Sequence, residues 1–172
     1  MTSIETKKIL VAIATMYMQE MNELARLDSV IGDGDHGISM ARGASAAFDN
    51  ISAMADDEPQ NEYFKVYGRS LVSEIGGAIG PLFGMIFTEF GKSVKAFGDL
   101  TPAAFVNAVE NSMRKVMEFG GAKMNDKTMV DAMVPAAEHA RAALHEGKPL
   151  EEVAKAAAEG AKIGVEATVN MR

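Results

Sequence analysis

Between positions 28 and 37 the chain sets three aspartates, Asp28, Asp33 and Asp35, and one histidine, His36, among Gly32, Gly34 and Gly37. Two carboxylates about 5 Å apart at an effective dielectric of ~20 repel by roughly 3 kcal/mol. A hard divalent cation removes that cost. Magnesium suits the case, because it takes a few carboxylates and keeps positions for water and substrate phosphates. The spelling G-x-G-x-x-G from Gly32 to Gly37 matches a dinucleotide fingerprint, but that motif needs a strand before a bare glycine turn whose amides meet a pyrophosphate. Here carboxylates stand in the anion's place. A calcium EF-hand fails as well, since Gly37 and Ala44 fall where the loop needs acidic ligands. Taken singly, Asp35 reads as a helix N-cap, Asp28 as a solvated helix-end carboxylate and His36 as a surface residue. Together, at the start of a helix, they read as a phosphate site bridged by metal.

Two further segments repeat the theme. In GGAIGP, Gly76 and Gly77 end one helix and Gly80 and Pro81 open the next, so the amides around Ala78 and Ile79 face outward at a positive helix end. The plainer reading is an ordinary interhelical turn. In NDKTMVDAMVP, Asp126 and Thr128 are capping-type residues at a helix start, with Met129 available to cover a flat ring. Its plainer reading is a capped helix with core methionines.

The elements that position these segments are helices. Thr2 and Glu5 form a capping box, and Leu10, Ile13, Tyr17, Met21 and Leu24 recur on one stripe, which predicts a helix running to about Asp28. A second begins near His36 and lasts until the turn around Pro59. A third carries Phe64, Tyr67, Leu71 and Ile75; the fourth has Pro81 in its first turn. Thr101 and Pro102 open a fifth with Phe105, Val109, Met113 and Val116, ending at Gly120 and Gly121. The sixth starts around Asp126. The seventh, from about Pro149, carries Gly160, Ala161 and Gly164 on a small-residue face that admits a close neighbour. Alternating strand patterns are absent, so the expected fold is all-α, an antiparallel up-and-down bundle in one domain. In such a bundle the starts of the second, fourth and sixth helices share one end, where the three loops should converge.

Composition bounds the partners. The chain has 172 residues, of which 48% are hydrophobic, with a net charge of -7 and no cysteine. A nucleic-acid or anionic-membrane partner would want a concentrated basic face, and thiolate chemistry has no residue to use. MTSIETKK has no signal-peptide h-region and no apolar run spans a bilayer, so a cytoplasmic protein is expected.

IGDGDHG followed by MARG, then GGAIGPLFG and DKTMVDAMVPA, in this order and spacing, resemble the ADP-binding L subunit of the bacterial dihydroxyacetone kinase that draws its phosphoryl group from the phosphotransferase system. The resemblance runs from about Asp28 to the last residue. It implies a barrel of eight antiparallel helices holding ADP or ATP and two magnesium ions at one end. Asp28, Asp33 and Asp35 would be the metal ligands, His36, Gly37, Ile38 and Ser39 with Ala78 and Ile79 would line the phosphates, and Gly120, Thr128 and Met129 would lie at the nucleoside. No protein nucleophile is implied. The bound ADP would be phosphorylated by a phosphohistidine carrier and would pass the group to dihydroxyacetone on a partner K subunit. Neither His139 nor His145 is needed as a relay, and both read as surface or helix-end residues.

Three departures from the family pattern stand out. Serine is usual where Ile79 stands and asparagine where Ser39 stands; a lost hydroxyl contact to phosphate is worth about 1.5–3 kcal/mol. The family also continues past NMR into a basic lid and an eighth helix, so seven helices without a lid are expected in the sequence up to Arg172, and the natural protein is expected to be longer, with a divergent open-site member as the alternative. Two other readings accompany this one: a kinase subunit for a longer ketose such as erythrulose, and a nucleotide-sensing protein that acts on a transcriptional regulator.

Overall fold

The computed structural model describes residues 1–171; Arg172, and the expectation attached to it, lies outside the described residues. The fold is all-α. The helices are α1 (Ser3–Gln19), α2 (Met21–Asp28), α3 (His36–Ser52), α4 (Gln60–Glu74), α5 (Ile79–Phe97), α6 (Pro102–Gly120), α7 (Val130–His145) and α8 (Leu150–Thr168).

Among the described residues there are thus eight helices where seven were expected, because the first expected helix is two. Glu20 leaves helical geometry at φ -84°, ψ 7°, and no glycine or proline marks the spot. The break lets α2 lie backbone to backbone on the first turn of α3. A Cβ on Gly37 would stand 1.9 Å from the Met21 carbonyl oxygen and 2.7 Å from the Ala25 nitrogen. Only glycine permits that approach.

The chain falls into two compact units, Met1–Gly91 and Lys92–Arg172. In the first, the α1 stripe buries Leu10 and Ala14 and α3 buries Met40, Ala44, Ala47 and Ile51. From α4 come Tyr63, Phe64, Tyr67 and Leu71. The expected capping box starts α1: Glu5 N–H donates to Thr2 Oγ1 at 3.3 Å and Thr2 N–H to Glu5 Oε2 at 2.7 Å. Aromatic pairs join α4 to α5, with Tyr67 stacked on Phe87 at 3.9 Å and Phe64 on Phe90 at 5.6 Å between ring centroids.

In the second unit Val106, Ala140, Ala143, Val153 and Ala157 form the packed centre of α6, α7 and α8. The expected apolar stripe of α6 is corrected in part. Val116 is buried, but Phe105, Val109 and Met113 are only half-buried, and the innermost face is Ala104, Ala108 and Ser112. Small side chains let the helix axes close up, and larger ones then fill the flanks. The small-residue face of α8 does what its spacing predicts: a Cβ on Gly164 would stand 2.0 Å from the Asp131 carbonyl oxygen, and one on Gly160 2.3 Å from that of Pro135. No helix among the described residues is long and apolar enough to cross a membrane.

Candidate functional site

The loop from α2 to α3 is organised by Asp28. Its Oδ2 accepts from Gly34 N–H at 2.9 Å and from His36 N–H at 3.4 Å, while its carbonyl accepts from Gly32 N–H at 2.7 Å. The chain turns through Gly34 at φ +79°, a left-handed conformation that side chains disfavour. At Gly32 a Cβ would stand 2.2 Å from Asp28 Oδ1, so a side chain there would push aside the carboxylate that holds the loop. The loop therefore needs its glycines to wrap around one carboxylate.

That wrapping assembles the acidic cluster. Asp28, Asp33 and Asp35 each offer a carboxylate oxygen, and these oxygens lie within 4.8 Å of one another. Asp28 is half-buried; Asp33 and Asp35 face solvent. Asp35 occupies the N-cap position of α3, but its side chain caps nothing. Asp33 Oδ1 accepts only the Asp35 N–H, at 3.3 Å. All three keep oxygen atoms for a cation, and carboxylate oxygens are hard donors that magnesium takes alongside water and phosphate.

The first turn of α3 adds donors. His36 N–H is spent on Asp28 and Ser39 N–H on the Asp35 carbonyl at 2.9 Å, whereas the amides of Gly37 and Ile38 meet no acceptor among the described residues. Gly37 and Ser39 are buried and Ile38 is exposed. The second glycine segment belongs to the same unit. Arg42 Nε donates to the Glu74 carbonyl at 2.8 Å, and His36 packs on Phe83 of α5 at 6.3 Å between ring centroids. Ala78 is exposed and Ile79 half-buried, and their amides likewise meet no acceptor among the described residues.

The remaining candidates, Gly120, Thr128 and Met129, belong to the second unit. Gly120 ends α6, before Gly121 turns left-handed at φ 66°. Asp126 does not cap α7 as expected; its Oδ2 closes a turn by accepting the Lys123 N–H at 2.9 Å. Thr128 Oγ1 accepts the Val130 N–H at 3.2 Å, while Met129 stands at the N-cap position of α7 with no side-chain cap.

Sequence reasoning missed Asp131. Its side chain is wholly buried and accepts from Asn125 N–H at 2.6 Å and Thr128 N–H at 2.9 Å. The Thr128 amide first, then that of Asn125, hold its carboxyl below the usual carboxylate range. The spacing Thr128-x-x-Asp131 is a capping-box signature with Asp for Glu, and was the available signal.

The model of the DAK2 domain matches residues 30–172. The chain belongs to the DAK2 domain family. Within it, the ADP-binding subunit DhaL of the PEP-dependent dihydroxyacetone kinase of Escherichia coli strain K12 is 32% identical over 157 residues, 91% of this chain and 74% of the relative. A D-erythrulose kinase of Mycolicibacterium smegmatis is 31% identical over 162 residues, which is 94% of this chain and 28% of the relative. The crystal structure of the dihydroxyacetone kinase of C. freundii in complex with AMP-PNP and Mg2+ superposes with a TM-score of 0.76 at 26% identity, covering 96% of this chain and 29% of that one. This DAK2 chain thus spans under a third of the long kinases and about three quarters of the E. coli subunit.

Proposed function

We propose that this chain is the nucleotide-binding part of a ketose kinase, with Asp28, Asp33 and Asp35 as ligands for two magnesium ions and ADP as the resident nucleotide. The observation that carries this reading is the convergence of the three carboxylates at the start of α3, beside helix-start amides without protein acceptors. When bound, magnesium supplies the positive charge that lets carboxylates and phosphates share one site. Gly37 and Ile38 at the start of α3, and Ala78 and Ile79 at the start of α5, would offer backbone N–H groups to phosphate oxygens. Ile79 therefore still contributes through its amide, although it lacks the hydroxyl usual at that position. Gly120, Thr128 and Met129 would contact the nucleoside.

Phosphoryl transfer needs positioning and charge neutralisation more than a protein nucleophile, and the chain offers those. Bound ADP would supply the oxygen that exchanges the N–P bond of a phosphohistidine carrier for an O–P bond and then yields the phosphoryl group to a sugar hydroxyl on the K subunit; the aspartates and helix-start amides of this chain would hold that nucleotide. The chain alone would leave free sugar untouched. A second ketose is favoured by the D-erythrulose kinase relative, which matches as much of this chain as the DhaL subunits do.

Reconstitution tests this. The chain with a dihydroxyacetone-binding K subunit and a phosphorylated carrier should yield dihydroxyacetone phosphate, and omission of either partner should stop it. Turnover of free dihydroxyacetone by the isolated chain with ATP would refute the subunit reading, and erythrulose as the better acceptor would assign the other sugar.

A further inference from the structure

We infer that α2 is a latch on the acidic cluster, shut by the cation that the cluster holds, an inference that rests on the magnesium-nucleotide reading above. The neighbouring helices of the first unit are anchored by fully buried side chains, among them Leu10 on α1, Met40 on α3 and Tyr67 on α4. α2 has no buried residue: Met21, Leu24, Ala25 and Asp28 are half-buried and its other four residues face solvent. The Arg26–Glu23 ion pair lies at the surface and joins two residues of α2 itself. Eight residues are also too few for a helix to persist alone in water, so α2 is ordered by what it docks on.

Two contacts supply that docking. One is the approach of the α2 backbone to Gly37, and the other is Asp28, whose Oδ2 takes the Gly34 N–H at 2.9 Å and the His36 N–H at 3.4 Å. Glu20, outside helical geometry, gives α2 a break at which to part from α1. Docking carries a carboxylate oxygen of Asp28 to within 4.8 Å of one from Asp33 and one from Asp35. Like charges at that range push α2 away, against the pull of the two amides. Asp28 is also the last residue of α2, where the helix dipole disfavours a carboxylate and favours a cation. A divalent cation therefore reverses the push, and a ligand bound only by the docked form stabilises that form in step with its excess over the dissociation constant. Cation binding and docking of α2 are one equilibrium: the ligand-free chain opens at α2 before it opens in the core of the unit, and the loaded chain holds α2 shut.

Residue-resolved hydrogen exchange on the full chain, with and without magnesium-ADP, tests this. The amides of Leu24 and Ser29, bonded at 3.0 Å to the carbonyls of Glu20 and Ala25, report α2, and the Gly34 amide reports the Asp28 contact. In the ligand-free chain these three should exchange at least about tenfold faster than the amides of buried Ala44 and Ala47 on α3, and magnesium-ADP should slow them at least about tenfold. Exchange as slow as that of Ala44 without ligand, or fast exchange that magnesium-ADP leaves unchanged, would overturn the latch. Asp33→Asn adds a reading that a merely structural α2 would not give. With one charge removed, the three amides should exchange several-fold more slowly in the ligand-free variant than in the ligand-free wild type, and magnesium-ADP should no longer slow them. Unchanged or faster exchange in the folded, ligand-free variant would overturn the inference, because repulsion would then not be what opens α2. Calorimetry of magnesium-ADP on the same wild-type sample separates the two claims: absence of binding sinks the nucleotide reading and the latch with it, whereas binding without slower exchange at α2 sinks the latch alone.

Discussion

The Asp28 carboxylate accepts the Gly34 N–H at 2.9 Å, so the residue that belongs to the acidic cluster is also the one around which the loop is folded. Asp33 and Asp35 reach it because the chain circles back through glycines that tolerate the turn.

Gly37→Ala should therefore damage the site through packing. Its Cβ would fall 1.9 Å from the Met21 carbonyl oxygen, which is backbone and yields little. A loss of about 1–3 kcal/mol is expected from overpacking of this kind. Gly34→Ala, at φ +79°, should cost about 1–2 kcal/mol from left-handed strain. Denaturant unfolding measures both, and wild-type stability in Gly37→Ala would refute the close approach of α2 to α3.

Two buried tyrosines should answer oppositely to loss of the hydroxyl. Tyr63 Oη donates to the Ala55 carbonyl at 2.7 Å, so Tyr63→Phe should cost about 1 kcal/mol. Tyr67 Oη is buried without a partner, so Tyr67→Phe should be neutral or stabilising. Burial pushes the Tyr67 phenol well above its ordinary value. A raised folded-state value favours the native chain while the phenol is protonated. That contribution is whole below about pH 10 and is lost as the pH rises further, which Tyr67→Phe should abolish in alkaline unfolding curves.

Asp131 sets the opposite slope in acid. Its carboxyl is held below the unfolded value by the Thr128 and Asn125 amides, so its contribution is present above about pH 4 and fades as the pH falls through the lower folded-state value. Stability measured between pH 6 and pH 2 should fall less steeply in Asp131→Asn than in the wild type. Parallel curves would contradict the assignment.

In the second unit, Gly164→Ala should destabilise α7 against α8 by about 1–3 kcal/mol, since its Cβ would stand 2.0 Å from the Asp131 carbonyl oxygen. Gly120→Ala meets nothing within 4 Å and should keep or raise stability. Thermal unfolding of the pair separates crowding from a general sensitivity to glycine loss.

Much of this was legible in sequence, for reasons that particular residues show. Thr101–Pro102 and Gly120–Gly121 bounded α6 through local capping chemistry, and the repulsion among Asp28, Asp33 and Asp35 announced a cluster wherever the loop put them. The break at Glu20 was invisible, because the stripe from Leu10 to Leu24 continues across it and the cause is the distant Gly37. Asp131 escaped notice because a carboxylate inside a helical pattern gives no sign that its partners are backbone amides of the preceding loop. The inner face of α6 was misjudged since size was taken as a measure of burial, where Ala104 and Ala108 are buried because they are small.

The central claim, that the three aspartates bind nucleotide through magnesium, is tested most directly by calorimetric titration of ADP with and without Mg2+ into wild type, Asp33→Asn and Asp35→Asn. ADP should bind the wild type with Mg2+ and at least a hundredfold more weakly without it, about 2.7 kcal/mol, and both variants should lose the magnesium-dependent binding while keeping their helical circular dichroism. Equal ADP affinity with and without Mg2+, or wild-type affinity in both folded variants, would contradict it.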